Sequence, residues 1–263
     1  MITIVTAFFD IGRGEWTPDK GHPHYLERKT ETYFERFSNL ATLENPMVIY
    51  TSPDLVPRIQ QIRGNKPTKI IPFKFYDNCK ELRQKIKDIQ VSEEYKSKIN
   101  PSQKSNPEYW SADYVLVNAL KSTFIRHAIQ MAEVNTNLVA WVDFGYCHSK
   151  DTLNGITKWE YDFDPTKIHL FSIKDYLPGR PIDDIIYNND VHMTGGVIVA
   201  GKEQWPKLEA LVNHSTNELI KNNLIDDDQT LLLMSYLLAP EEFEIHKVSP
   251  DNWFFIFKDF AKK

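Results

Sequence analysis

Two almost wholly apolar segments that each stop at an aspartate do most to limit what this chain can fold into. Ile2 to Phe9 (ITIVTAFF) is broken only by two threonines and is rich in β-branched and aromatic residues. It is too short for a helix, so it reads as a strand covered on both faces. Leu138 to Val142 (LVAWV) has the same character. The first runs into Asp10-Ile11-Gly12-Arg13-Gly14 and the second into Asp143-Phe144-Gly145-Tyr146. In open α/β sheets ligands bind beyond the carboxyl ends of strands, which makes both aspartates site candidates. An aspartate at a strand end is also a common turn residue. Gly145, two residues on, lets backbone approach a ligand closely and weights Asp143 toward function.

The rest of the pattern extends this frame. Met47 to Thr51, Thr68 to Phe73, His169 to Ile173, Gly195 to Ala200 and Phe243 to Val248 read as further strands. Tyr25 to Leu40, Ala112 to Glu133, Glu203 to Asn222 and Leu231 to Leu238 carry apolar residues at helical spacing. Strands alternating with helices predict an α/β fold, with a mostly parallel twisted sheet flanked by helices. At 263 residues one domain, 1–263, is the expectation. The polar stretch 77–108 predicts a solvated helix and then a loose segment, a surface excursion or a mobile lid.

A net charge of −5 argues against a nucleic-acid binder, whose affinity rests on clustered Lys and Arg. Two cysteines make no disulfide framework and fit a reducing, cytoplasmic compartment. No apolar run approaches the roughly 18 residues of a membrane helix, so membrane association is expected to be at most peripheral, at the inner face. The Asp143-Phe144-Gly145 triplet spells a kinase metal motif, but no HRD-type loop, APE or kinase Gly-rich loop accompanies it. GxSxG, HExxH and CxxC are likewise absent from the sequence.

Asp226-Asp227-Asp228-Gln229 puts three carboxylates side by side, where they repel unless a cation relieves them. A helix N-terminus explains acidic residues there without function; a catalytic or sugar-binding aspartate is the other reading, and both stay open. Thr194-Gly195-Gly196 places two glycines at a strand entry, where a sugar can lie against backbone. His246, on a predicted strand, makes with Asp143 a donor set suited to Mn²⁺, although a strand histidine is more often structural. His148 and His192 rank below it.

In their order these features resemble a GT-A glycosyltransferase: the N-terminal buried strand, the helix carrying Lys121, the strand with its aspartate motif, the glycine-rich entry and the Asp-Gln helix start. More narrowly, Thr3 to Trp16 (TIVTAFFDIGRGEW), with WVDFGY, HMTGGVIVAG and DDDQTLL, resembles the HtrL/YibB family of bacterial proteins, associated with surface-polysaccharide or lipopolysaccharide gene clusters. The resemblance implies a nucleoside diphosphate sugar as donor and a glycan or glycolipid acceptor. It places Thr6, Ala7 and Phe8 against the nucleotide and Asp10 near its base or ribose. Gly195, Gly196 and Gln229 then line the sugar and acceptor side, and Asp227 or Asp228 is the acceptor's base if the reaction inverts. The GT-A motif is Asp-x-Asp, and Gly145 stands in its second place. A Mn²⁺ or Mg²⁺ ion would then rest on Asp143, His246 and the diphosphate, or Lys121 and Arg13 would share the phosphate charge instead. Alternatives are a transferase fold that has lost activity and binds carbohydrate or a partner, and, last, a nucleotidyltransferase.

Overall fold

A computed structural model describes residues 1–262. One sheet of seven strands runs through it: β1 (Ile2–Phe8), β2 (Met47–Thr51), β3 (Thr68–Pro72), β4 (Leu138–Val142), β5 (Ile168–Ser172), β6 (Val197–Gly201) and β7 (Phe243–Lys247). Their order is β3-β2-β1-β4-β6-β5-β7. Every strand but β6 points the same way, because β6 pairs antiparallel with both β4 and β5 while the remaining pairs are parallel. The expected α/β architecture, mostly parallel and flanked by helices, is the one that forms.

Both faces are covered, as the continuous apolar strands require. Val5 and Ala7 of β1 pack on one side with Val139 and Trp141 of β4, against the helices α6 (Ala112–Ala119), α7 (Lys121–Gln130), α9 (Trp205–Lys221) and α10 (Asp228–Leu238). Ile2, Ile4 and Phe8 face the other way with Ala140 and Val142, onto α1 (Thr30–Leu40), α2 (Val56–Arg63) and α11 (Ile256–Asp259). The two-residue alternation of strand side chains thus sorts one apolar run into two cores.

The stretch 77–108 packs more closely than its composition suggests. It forms the end of α3 (Phe75–Asn78), then α4 (Lys80–Val91) and α5 (Glu93–Lys98), followed by hydrogen-bonded turns. Ile86, Ile89, Tyr95 and Ile99 supply its buried face, and α8 (Ile182–Asn188) lies beside it, with Asn100 N–H donating to the Tyr187 carbonyl at 2.9 Å. The single helix expected over Ala112 to Glu133 is two helices that meet at Leu120, whose ψ of 0° ends the first. Lys121 opens the second.

The reversal of β6 positions the site. Because β6 runs against β4, its first residues lie at the carboxyl end of β4 instead of the far edge. Gly195-Gly196 is therefore set beside Asp143, whose N–H donates to the Gly196 carbonyl at 2.9 Å. At the other end of β6 a Cβ on Gly201 would come 1.8 Å from the Pro165 carbonyl oxygen, so no side chain fits there.

Candidate active site

A cavity of about 290 Å³ opens at the carboxyl ends of β1 and β4, the edge where α/β sheets bind ligands. Ala7 and Phe8 line it from β1, Asp10 and Arg13 from the segment that follows, and Asp143 and Gly145 from the turn after β4. Gly195 and Gly196 come from the entry to β6, Lys121 from α7, and Asp228 and Gln229 from α10. Segments far apart in sequence thus converge on one space.

At its floor lies Lys121. The Nζ atom is 2.8 Å from Asp143 Oδ1 and 2.6 Å from Asp228 Oδ2, and it donates to the Gly195 carbonyl at 2.9 Å. Burial works against its charge, but the two carboxylates outweigh that and raise its pKa. Asp228 is shifted up by burial, with Lys121 opposing. Gly195 makes the pairing possible: a Cβ there would meet Asp228 Oδ2 at 1.7 Å. Asp143 differs in reach, its side chain 40% exposed against 8% for Asp228. Trp141 Nε1 donates to Asp143 Oδ1 at 2.6 Å, while Oδ2 of this cavity-lining residue makes no hydrogen bond among the described residues.

This arrangement does not fit the divalent ion expected on Asp143. The point between the two carboxylates and a carbonyl oxygen, where an ion would gain its ligands, holds the Lys121 ammonium. His246 is elsewhere. It lies on β7, three strands from β4, or about 14 Å at normal strand spacing. One ion cannot take both residues. His246 Nε2 instead meets His169 Nδ1 at 2.9 Å, and their rings stack. Together with Glu244, their ligand atoms lie within 4.8 Å of one another, the one such metal-capable triad among the described residues.

Two other expected site residues also point away from the cavity. Thr6 is buried in the sheet, its hydroxyl without a partner. Asp227 caps α10, accepting from the Gln229 N–H at 3.0 Å, and is 5% exposed. Behind it lie Asp226 and Glu108, also buried. Burial raises all three carboxyls, and the neighbouring charges add to it. Of the acidic triplet, then, one residue faces the cavity, one caps a helix and one is shut inside.

Another part of the lining is cationic. Arg13, Arg28 and His148 line the cavity, and Arg36 stands directly behind, with Nη1 3.0 Å from His148 Nε2. Burial, then Arg36 and Arg28, push His148 down to about 4, so it accepts from Arg36 as a neutral ring at pH 7. Burial lowers Arg36 too, with Arg28 and Arg13 adding repulsion. Arg13, 8% exposed, donates to the Tyr33 hydroxyl at 2.8 Å, while its Nε has no partner. Gly145 leaves the room for this wall: a Cβ there would lie 3.0 Å from the Tyr33 ring and 3.8 Å from Arg36 Cδ.

Several lining residues lie outside the sequence-based set: Arg28, Tyr33, Tyr114, Asn118, Trp253 and Phe254, while His148, ranked low there, lies in the lining. Tyr114, Asn118 and Lys121 did leave a signal, a polar row at spacings of four and three along an otherwise apolar helical stretch. Arg28 and the aromatic pair Trp253-Phe254 carry none, since they come from irregular segments.

A family model described as "Bacterial protein of unknown function (HtrL_YibB)" matches residues 1–262. The chain belongs to that family. It is 42% identical over 261 residues to Protein HtrL of Escherichia coli (strain K12), across 98% of this chain and 92% of the relative. Among solved structures, this HtrL_YibB chain is similar to mouse xyloside xylosyltransferase 1, apo form, at a TM-score of 0.47 and 10% identity, over 93% of this chain and 84% of that one. It is also similar to the apo-form glycosyltransferase GlyE of Streptococcus pneumoniae TIGR4, at a TM-score of 0.40 and 11% identity, over 94% of this chain and 45% of that one. Likenesses this distant carry no argument about chemistry.

Proposed function

We propose that the protein is a glycosyltransferase that takes a nucleoside diphosphate sugar into the cavity at the ends of β1 and β4 and passes the sugar to a hydroxyl of a glycan or glycolipid. One observation carries the reading: a single cavity is lined both by Asp143, whose Oδ2 makes no hydrogen bond among the described residues, and by guanidinium groups. Sugar transfer from such a donor asks for both. The bond from the anomeric carbon to the diphosphate breaks and its electron pair leaves on the diphosphate, whose charge a cationic wall stabilises. The same carbon bonds to the acceptor oxygen, and the acceptor's proton passes to Asp143. Asp227 is too deep for that work, and Asp228 is committed to Lys121, which holds Asp143 in place. Phe254 and Trp253 at the rim offer apolar surface to a base or sugar face. Assembly of surface polysaccharide or lipopolysaccharide is the setting the family resemblance suggests, and no helix among the described residues is long and apolar enough to cross a membrane.

The test is a panel of nucleotide sugars, with melting temperature and slow donor hydrolysis as readouts. A cognate donor raises the melting temperature because it binds only the folded state. Asp143→Asn should keep the fold and lose hydrolysis by about a hundredfold or more, the usual scale for a positioned acid or base. If no donor shifts the melting temperature, the reading fails. If donors bind and no acceptor from a broad panel is ever glycosylated, the non-catalytic carbohydrate-binding reading takes its place.

A further inference from the structure

The chain has eight arginines. Arg58, Arg83, Arg126 and Arg180 are each paired with a carboxylate. Arg63 is buried and spends its donors on four backbone carbonyls and the Thr68 hydroxyl. The three that remain, Arg13, Arg28 and Arg36, make no carboxylate pair among the described residues, and they are the three that gather at the cavity. Acidic residues outnumber basic ones, 36 to 31, yet among the described residues none forms an ion pair with this cluster. Half-buried like charges without a counterion are unfavourable in the empty protein. Such a cost persists where a ligand of opposite charge relieves it.

We infer that Arg28 and Arg13, with Arg36 behind them on His148, form the seat of the donor's diphosphate, and that this seat works without a divalent ion. The inference rests on the donor reading of the cavity. Guanidinium groups match phosphate oxygens in a bidentate fork, so three of them supply the charge and geometry that a bridging ion otherwise provides. Two structural facts favour this over a metal. The ion's position is taken by the Lys121 ammonium, which touches both carboxylates. In addition, the second aspartate of a metal motif is replaced by Gly145, whose missing side chain opens the space that Tyr33 and Arg36 use. A carboxylate placed there would neutralise Arg36; glycine leaves its charge for the ligand.

Calorimetric titration of the full-length protein with inorganic pyrophosphate, UDP and GDP, in EDTA and then in Mn²⁺, decides the matter. Binding in EDTA is expected, with affinity reduced about tenfold or more by Arg28→Ala or Arg36→Ala, and partly kept by the Lys variants at both positions. Melting curves check that the variants fold. Asp143→Asn supplies the opposite sign. Without a metal its carboxylate repels the diphosphate, so the variant binds pyrophosphate at least as tightly as the parent; with a metal, binding is lost. Binding that needs Mn²⁺ and disappears in Asp143→Asn overturns the inference and leaves the donor reading standing. Absence of binding by all three probes in both buffers overturns the two together.

Discussion

Burial works against the charge of Lys121, and Asp143 and Asp228, which both touch it, raise its pKa above the ordinary lysine value. The dependence runs in both directions, since either aspartate would otherwise sit beside the other without compensation. Lys121→Met should therefore destabilise the protein by about 3–5 kcal/mol in urea denaturation, the usual cost of removing one partner from a buried ion pair. Adding Asp228→Asn should recover part of that loss, because the orphaned charge goes with it. A loss within about 0.5 kcal/mol of zero would mean that Lys121 does not organise the floor of the cavity. The carboxylates of Asp226, Asp227 and Asp228 are adjacent in sequence, yet they have separate tasks. Asp228 is the first residue of α10, and Asp227 and Asp226 precede it in non-helical backbone, so the three consecutive side chains point into different environments.

Among the elements, the sheet's amino edge is held by a clamp remote from the cavity. Arg63, the last residue of α2, is wholly buried and donates to the carbonyls of Ala41, Leu43, Asn45 and Pro67, at 3.0, 2.8, 3.0 and 3.1 Å. Asn45 extends the clamp to the carbonyls of Ile2 and Trp159. One side chain thus satisfies the loops that lead into β2 and β3, and burial lowers its pKa to about 10, still well above neutrality. Arg63→Met would orphan these acceptors at about 1–3 kcal/mol each, partly offset by water. A total loss of about 3 kcal/mol or more is expected in urea, with pyrophosphate affinity unchanged in the folded fraction; an equal fall in affinity would show that the clamp and cavity are coupled. All seven strands were legible in the sequence to within two residues, since apolar, β-branched runs between turn residues are local signals. The helix break at Leu120 was not, because no Gly or Pro marks it.

For the whole molecule, the buried acids set the response to pH. Glu108, Asp226 and Asp227 have folded pKa values raised first by burial, with neighbouring carboxylates, Asp228 among them, adding to it. A raised acid binds its proton more tightly in the folded state, so the stability it lends is complete below the ordinary carboxylate range and is lost as pH rises through its folded value. His148 acts in the opposite sense: lowered to about 4, it costs stability as pH falls from about 6.5 toward 4, when the unfolded chain takes up the proton. Urea midpoints from pH 5 to 8 should accordingly decline toward the alkaline end. Glu108→Gln should flatten that decline without altering the His148 limb. A parallel decline in the variant would remove Glu108 from the cause.

By itself the sequence determined the α/β class, the strands, the carboxyl edge as the place to look, and the gathering of Asp143, Lys121, Asp228, Gly195 and Gly196 as candidates. The class, the strands and the edge are consequences of hydrophobic period and turn chemistry, which act over a few residues; Lys121 entered through the family resemblance. Only the tertiary structure decided which candidates meet. The reversed β6 brings Gly195-Gly196 to Asp143, and strand order sends His246 three strands away. The folding of α1 and its preceding loop over β4 sets three unpaired arginines around the cavity. Strand order and loop placement depend on which faces bury against each other across the whole chain, and no local pattern records that choice.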